Sequence, residues 1–191
     1  MFSRYIRPGL TLVFAMTLIV GVIYPFAIAG VSRLAFARQA EGSLLHENGV
    51  LIGSELIGQN FTDPKYFWGR PSATTPQPYN GVNSGGSNFG PLNQALIDKV
   101  RADAKALRDA DLSNKAQIPV ELVSASTSGL DPEISPAAAL YQAARVARAR
   151  HIPIAKVRAL IEIHQRTPIL GVIGEPVVNV LALNLELDKQ R

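Results

Sequence analysis

The sequence predicts an α+β fold: a small mixed domain carried on one N-terminal membrane-spanning helix. Three observations predict it. Leu10 to Gly30 is an unbroken run without a charge. After residue 90, proline-led segments carry apolar residues at helical spacing, as in Ile154, Val157, Leu160 and Ile161. Between them stand short apolar runs broken by glycine or asparagine, which read as strands. Helices and strands in such alternation pack as a mixed α+β layer.

The anchor comes first. At about 1.5 Å per residue, a helix over "LTLVFAMTLIVGVIYPFAIAG" (10–30) reaches across the ~30 Å hydrocarbon layer. In lipid every backbone amide must be bonded internally, so such a run reads as a spanning helix, slightly kinked at Pro25, with Tyr5 and Tyr24 toward the interfaces. A cleaved leader is the rival, since Ala35-Phe36-Ala37 fits a cleavage pattern. The apolar run is longer than leader cores of about 7–15 residues. The division is therefore an anchor over 1–40 and a domain over 41–191. Arg4 and Arg7 precede the span and Arg33 and Arg38 follow it. With the terminal amine added to the two arginines before the span, the charge bias is expected to keep the N-terminus in the cytoplasm and the domain outside, with membrane lipid around the helix.

Charge then removes one class of function. Of 19 basic residues, the four arginines just named lie in the first forty, which contain no Asp or Glu; the rest of the chain holds 15 of each sign. A domain with no net positive charge has no clustered surface for a phosphate backbone, so nucleic acid is not an expected partner. The chain has no cysteine, which excludes disulfides, thiolate metal sites and a thiol nucleophile.

Along the domain, 44–61 is expected to form two or three short strands turning at Asn48-Gly49. From 63 to 91, five prolines and five glycines exclude regular structure, yet Tyr66, Phe67, Trp68, Tyr79 and Phe89 are interleaved. Aromatics bury large areas, so this is expected to be an ordered loop packed on the domain or on a partner. Pro91 is expected to open a helix with Leu92, Leu96, Val100 and Leu107 on one face, ending near Asp111. "IPVELVSAS" (118–126) reads as a strand. Ser135 reads as the N-cap and Pro136 as the first residue of the next helix, and a further helix starts at Pro153. The apolar stretch 174–188 reads as a strand, a helix, or one running into the other.

Gly85 and Gly90, in "YNGVNSGGSNFGPLN" (79–93), have the spacing of a phosphate loop. The lysine and hydroxyl that should follow Gly90 are replaced by Pro91 and Leu92, so a structural or docking loop is favoured. His46, His151 and His164 lack metal-ligand spacing. Ser126, Ser128 and Asp131 read as turn formers rather than a hydrolase site. Arg145, Arg148 and Arg150 read as a solvated helix face or as ion pairs to a partner. Asn179 and Asn184 read as satisfying backbone groups. No catalytic constellation and no metal site emerges.

With these residues in view, the chain resembles the C-subunit (KdpC) family of the bacterial Kdp potassium-transporting ATPase. The matching stretches are "GSELIGQNF", "YFWGRPSAT", "YNGVNSGGSNFGPLN", "SASTSGLDPEISPAAALYQAARVARAR" and "GEPVVNVLALNLELD", in the family's order after a span holding Tyr24-Pro25. Only "RTPILGVIGEP" departs. The resemblance implies a non-catalytic subunit of a heteromeric pump in the bacterial inner (plasma) membrane. Its partners would be a channel-like A subunit, a P-type ATPase B subunit and a small F subunit. It also implies a rival role: a catalytic chaperone that raises the pump subunit's ATP affinity. In that role Ser84, Gly85, Gly86, Ser87 and Asn88 stand in for a transporter signature, with Gln142 the nearest match to a required glutamine. ATP enters only by this resemblance; no other cofactor is expected. An outward-facing domain cannot reach cytoplasmic ATP. The expected docking residues are therefore Tyr66, Phe67, Trp68, Arg70, Tyr79, Phe89 and Arg145.

Overall fold

A computed structural model of the chain describes residues 3–168 and 171–190. Two compact units emerge, one ending at Ile52 and the other beginning at Gly53. Residues 169 and 170, within the "RTPILGVIGEP" stretch, lie outside the description.

In the first unit α1 (Ser3–Leu18), a π-helical turn (Ile19–Ile23) and α2 (Tyr24–Ala35) follow one another without a break. Together they give a rod, Arg4–Ala35, with a mean hydropathy of 2.4 in its most apolar window and none of that window buried. That is long and apolar enough to cross a bilayer. The disturbance expected at Pro25 takes the form of a widened turn. Proline has no N–H for the carbonyl four residues back, and Tyr24 N–H bonds to the Ile19 carbonyl instead. After α3 (Ala37–Ala40) come β1 (Leu44–Glu47) and β2 (Val50–Ser54). They are joined by Asn48 and Gly49 with φ of 50° and 80°, the left-handed pair that a two-residue hairpin turn demands.

In the second unit, no helix or strand occurs between Ser54 and Gln94, in keeping with the density of prolines and glycines. The next helix, α4 (Gln94–Ala110), starts later than Pro91 suggests. Asn93 is its N-cap, the side chain accepting from Ala95 N–H, and a side-chain oxygen there satisfies an orphan donor that Pro91 could not. Leu92 is left outside the helix and 93% exposed, whereas Leu107 is buried. The expected strand at 118–126 is a 3-10 turn, Val120–Leu122. Pro119 has no N–H to give a ladder, and the Glu121 carboxylate accepts from both the N–H and the hydroxyl of Ser135.

Ser135 in turn caps α5 (Pro136–Arg150), accepting from Ala138 N–H. Ala138, Ala139, Ala143, Val146 and Ala147 form its buried face, short side chains that allow close approach, and it packs on α6 (Ile154–His164). On α6, Val157, Leu160 and Ile161 are buried, but Ile154 at the first position faces out. The strands β3 (Glu133–Ile134), β4 (Gln165–Arg166) and β5 (Val177–Asn179) form an antiparallel sheet of order β3-β5-β4, with Ile134 and Gln165 on either side of Val178. The strand β5 runs straight into α7 (Val180–Asp188). Phe67, Ile134, Val146, Val157, Ile161, Val178, Leu183 and Leu187 make the core.

Candidate functional site

Sequence reading puts function in the loop 63–91; in the structure the irregular stretch runs over 55–93, and its backbone groups have no sheet or helix to bond to. Those near the core are met by side chains. Phe67 is fully buried; its N–H donates to Asn184 Oδ1 (2.8 Å) and its carbonyl accepts from Asn184 Nδ2 (3.0 Å). One residue on, Trp68 N–H donates to Gln142 Oε1 (2.9 Å) and its carbonyl accepts from Gln142 Nε2 (3.0 Å). Each amide side chain replaces the neighbouring strand that the loop lacks. Arg145, only 4% exposed, donates to the carbonyls of Pro64 (2.5 Å) and Tyr66 (3.0 Å) and to Gln142 Oε1 (2.6 Å), and stacks on the Trp68 ring. Burial lowers its pKa to about 10, against the pull of Asp111 and Asp63.

The other two arginines of α5 are also occupied within this unit. Arg148 pairs with Asp111, while Arg150 bonds the Lys65 and Leu187 carbonyls and Asp188. A solvated face was one reading of this helix. Instead Arg145 and Arg150 serve carbonyls of the loop, and Arg150 also ties it to α7, because an irregular loop supplies bare carbonyls that a guanidinium can serve in pairs. Phe67 and Arg145, two of the expected docking residues, thus lie inside the unit.

The glycine stretch is built differently. Gly85 N–H and the Ser84 hydroxyl both donate to the Ser128 carbonyl (2.9 and 3.0 Å). A Cβ on Gly86 would stand 2.8 Å from the Thr127 carbonyl, and one on Gly129 2.7 Å from that of Gly85. Two main chains are stacked here, which is why side chains are missing. At Gly85 itself a Cβ would meet nothing within 4 Å. Ser126 and Ser128 form turns by accepting from the Gly129 and Leu130 N–H groups, and Asp131 accepts from Glu133 N–H, as their pattern suggests. Asp131 also pairs with Arg70 (3.0 Å).

Tyr79 closes the loop on itself. Its hydroxyl donates to the Arg70 carbonyl (2.5 Å), and burial, with Asp131 nearby, pushes its pKa up to about 12. A Cβ on Gly58 would lie 2.3 Å from its ring, a requirement that pattern reading gave no sign of. Beside Tyr79 is a cleft of about 390 Å³ between the loop and α4, walled by Phe61, Trp68, Arg70, Lys99 and Leu107. Neither Ser84–Asn88 nor Gln142 lines it. Among the described residues, no hydrogen bond joins Gln142 to the glycine stretch, and no group of residues could hold a metal ion.

Large apolar side chains are among those the loop leaves outside. Val82 is 98% exposed, Leu92 93%, and Phe89 is exposed as well. From Pro71 to Ile97 the chain has no charged residue. The rim is thus uncharged, with apolar tips exposed.

Comparison with known proteins agrees with the length of the match and its order. The family model described as "K+-transporting ATPase, c chain" matches residues 6–189. The chain is 60% identical to the potassium-transporting ATPase KdpC subunit of Polaromonas naphthalenivorans (strain CJ2), over 97% of this chain and 95% of that one. The corresponding figures for the same subunit of Variovorax paradoxus (strain S110) are 58%, 97% and 96%. For that of Methylococcus capsulatus they are 52%, 98% and 99%. On a match that runs nearly end to end, the chain belongs to the KdpC family, the c chain of the K+-transporting ATPase.

Proposed function

We propose that this chain is a non-catalytic accessory subunit of a potassium-transporting ATPase, needed for assembly or stabilisation of the complex and for regulation of the pump. The N-terminal helix holds it in the membrane, the domain lies on the extracytoplasmic side, and the uncharged rim at 80–92 docks on another subunit. Channel-like A, ATP-hydrolysing B and small F subunits are the partners. The single observation that carries this reading is the rim: Val82 and Leu92 are almost wholly exposed on a loop that the Gly85 N–H and the Ser84 hydroxyl tie to the Ser128 carbonyl. Large apolar tips held on an ordered loop are favourable only when something covers them.

The rival role, raising ATP affinity through Ser84–Asn88 and Gln142, has less behind it. Gln142 is 1% exposed, and both ends of its amide are bonded to Trp68 and Arg145. Its loss would loosen the domain before it affected any nucleotide.

Two measurements test the proposal. Alkaline phosphatase fused after the last residue is expected to be active; a fusion fluorescent only in the cytoplasm would return the domain to the nucleotide side. The double substitution Val82→Ser with Leu92→Ser is expected to lower recovery of the A and B subunits with this chain. Full recovery with weakened ATP binding would favour the chaperone role instead.

A further inference from the structure

The π-helical turn at Ile19–Ile23 has a consequence for hydrogen bonding. Tyr24 N–H is taken by the Ile19 carbonyl, and α2 resumes at Tyr24 with Ile23 as its N-cap, whose carbonyl accepts that helix's first bond. Between these two bonds stand three carbonyls, those of Val20, Gly21 and Val22. The N–H groups left to them would come from residues 25 and 26, and residue 25 is proline. Three acceptors therefore share the single N–H of Phe26. In water the shortfall would be met by solvent. Here it falls near the middle of the rod Arg4–Ala35, where hydrocarbon offers no donor and an unmet backbone group is costly.

Nothing in the rod covers this point. Its apolar window is entirely unburied, and the nearest atom to a Cβ on Gly21 would be the Thr17 methyl at 3.8 Å. The open carbonyls lie beside a residue with no side chain, so another backbone can approach closely there. We propose that this turn is an acceptor socket for one occupant: a membrane helix of another pump subunit bearing a Ser, Thr, Asn or Gln side chain at the same depth. Lipid tails have no donor, and a water molecule would need partners that the surrounding Ile, Val and Phe side chains do not give. A donor side chain on a neighbouring helix fills the need, and small-residue sites such as Thr17–Gly21 are where helices meet in membranes.

The inference rests on the membrane span and on membership of the pump, and its test separates these. It uses the whole complex in mild detergent. A benzophenone side chain at position 17, on the face of Gly21, is expected to cross-link to a membrane helix of another subunit; one at position 19, across the rod, is not. The cross-linked peptide then names the donor. Replacing that donor by alanine is expected to weaken retention of this chain by about 3- to 30-fold, the range of interhelical hydrogen bonds. Pro25→Ala restores an N–H, favours a regular helix and keeps the chain inserted. It is expected to weaken retention by a similar factor, and in its background the donor replacement should have no further effect. Cross-linking from position 19 alone, retention unchanged by Pro25→Ala, or two losses that simply add would overturn the socket. Release of the chain by alkaline carbonate would overturn the span beneath it.

Discussion

The aromatic stretch 64–70 and the glycine stretch 80–92 belong to one irregular segment, yet they invert each other. The first draws an arginine, a glutamine and an asparagine into the interior, while the second holds a valine and a leucine out in water. Hydropathy taken residue by residue would assign them the other way round. The inversion follows from what each stretch has to satisfy. Next to the core, bare peptide groups are the costly items, so Gln142, Arg145 and Asn184 are drawn in to meet them. Away from the core, Ser84, Gly85 and Gly86 lie against the main chain at Thr127 and Ser128, and the apolar side chains of Val82 and Leu92 are left exposed.

Five variants would break or sharpen this contrast. The largest effect is expected at Arg145. Arg145→Met leaves the Pro64 and Tyr66 carbonyls and the Gln142 amide short of donors. It should cost at least about 3 kcal/mol in urea unfolding of the detergent-solubilised chain. A loss below about 1 kcal/mol would mean that the interior polar groups find other partners. Gly86→Ala comes next: a Cβ 2.8 Å from a backbone oxygen should cost about 1–3 kcal/mol. Gly85→Ala, into open space, should stay within about 0.5 kcal/mol. If the two behaved alike, the stacked backbones would not explain the paired glycines.

Asp111 provides a smaller, pH-dependent effect. Burial alone would raise its pKa, but the Ser113 hydroxyl and the Arg148 guanidinium outweigh it and hold the carboxyl below its ordinary value. A carboxylate lowered in the folded state stabilises above its unfolded pKa of about 3.9 and loses that contribution as pH falls through the folded value. Asp111→Asn should therefore cost about 1 kcal/mol at neutral pH, since Arg148 is well exposed, and make the acid limb below about pH 4 shallower. Equal acid sensitivity in both proteins would remove Asp111 from the balance. The smallest effect on folding is expected from Val82→Ser with Leu92→Ser, within about 0.5 kcal/mol, although recovery of the other subunits should fall. A large loss of stability would show that the rim belongs to the core.

The helices were legible because their signals are local: Ser135-Pro136, Pro153 and the cap-to-cap spacing mark α5 and α6 within a few residues. Asn48-Gly49 marked the hairpin for the same reason. The turn at 120–122 was read as a strand because Glu121 is fixed by Ser135, 14 positions on, and no local pattern reports such a bond. The start of α4 slipped because Pro91 and Asn93 both carry a start signal and only geometry chooses between them. In the candidate site, the ordered aromatic loop and the backbone role of Asn179 and Asn184 could be read beforehand. The inward turn of Arg145 could not, since its partners lie about 80 positions away.

The order of the chain also sets when the second unit can close. Asn184 bonds Phe67 across 117 positions and Asn179 bonds the Glu55 carbonyl across 124. Val178, Leu183 and Leu187 come last in the chain yet fill the middle of the core. Until that segment has left the ribosome, everything from Glu55 onward lacks its keystone. A message cut before codon 177 should yield a chain whose second unit cannot close, fit for proteases rather than for assembly.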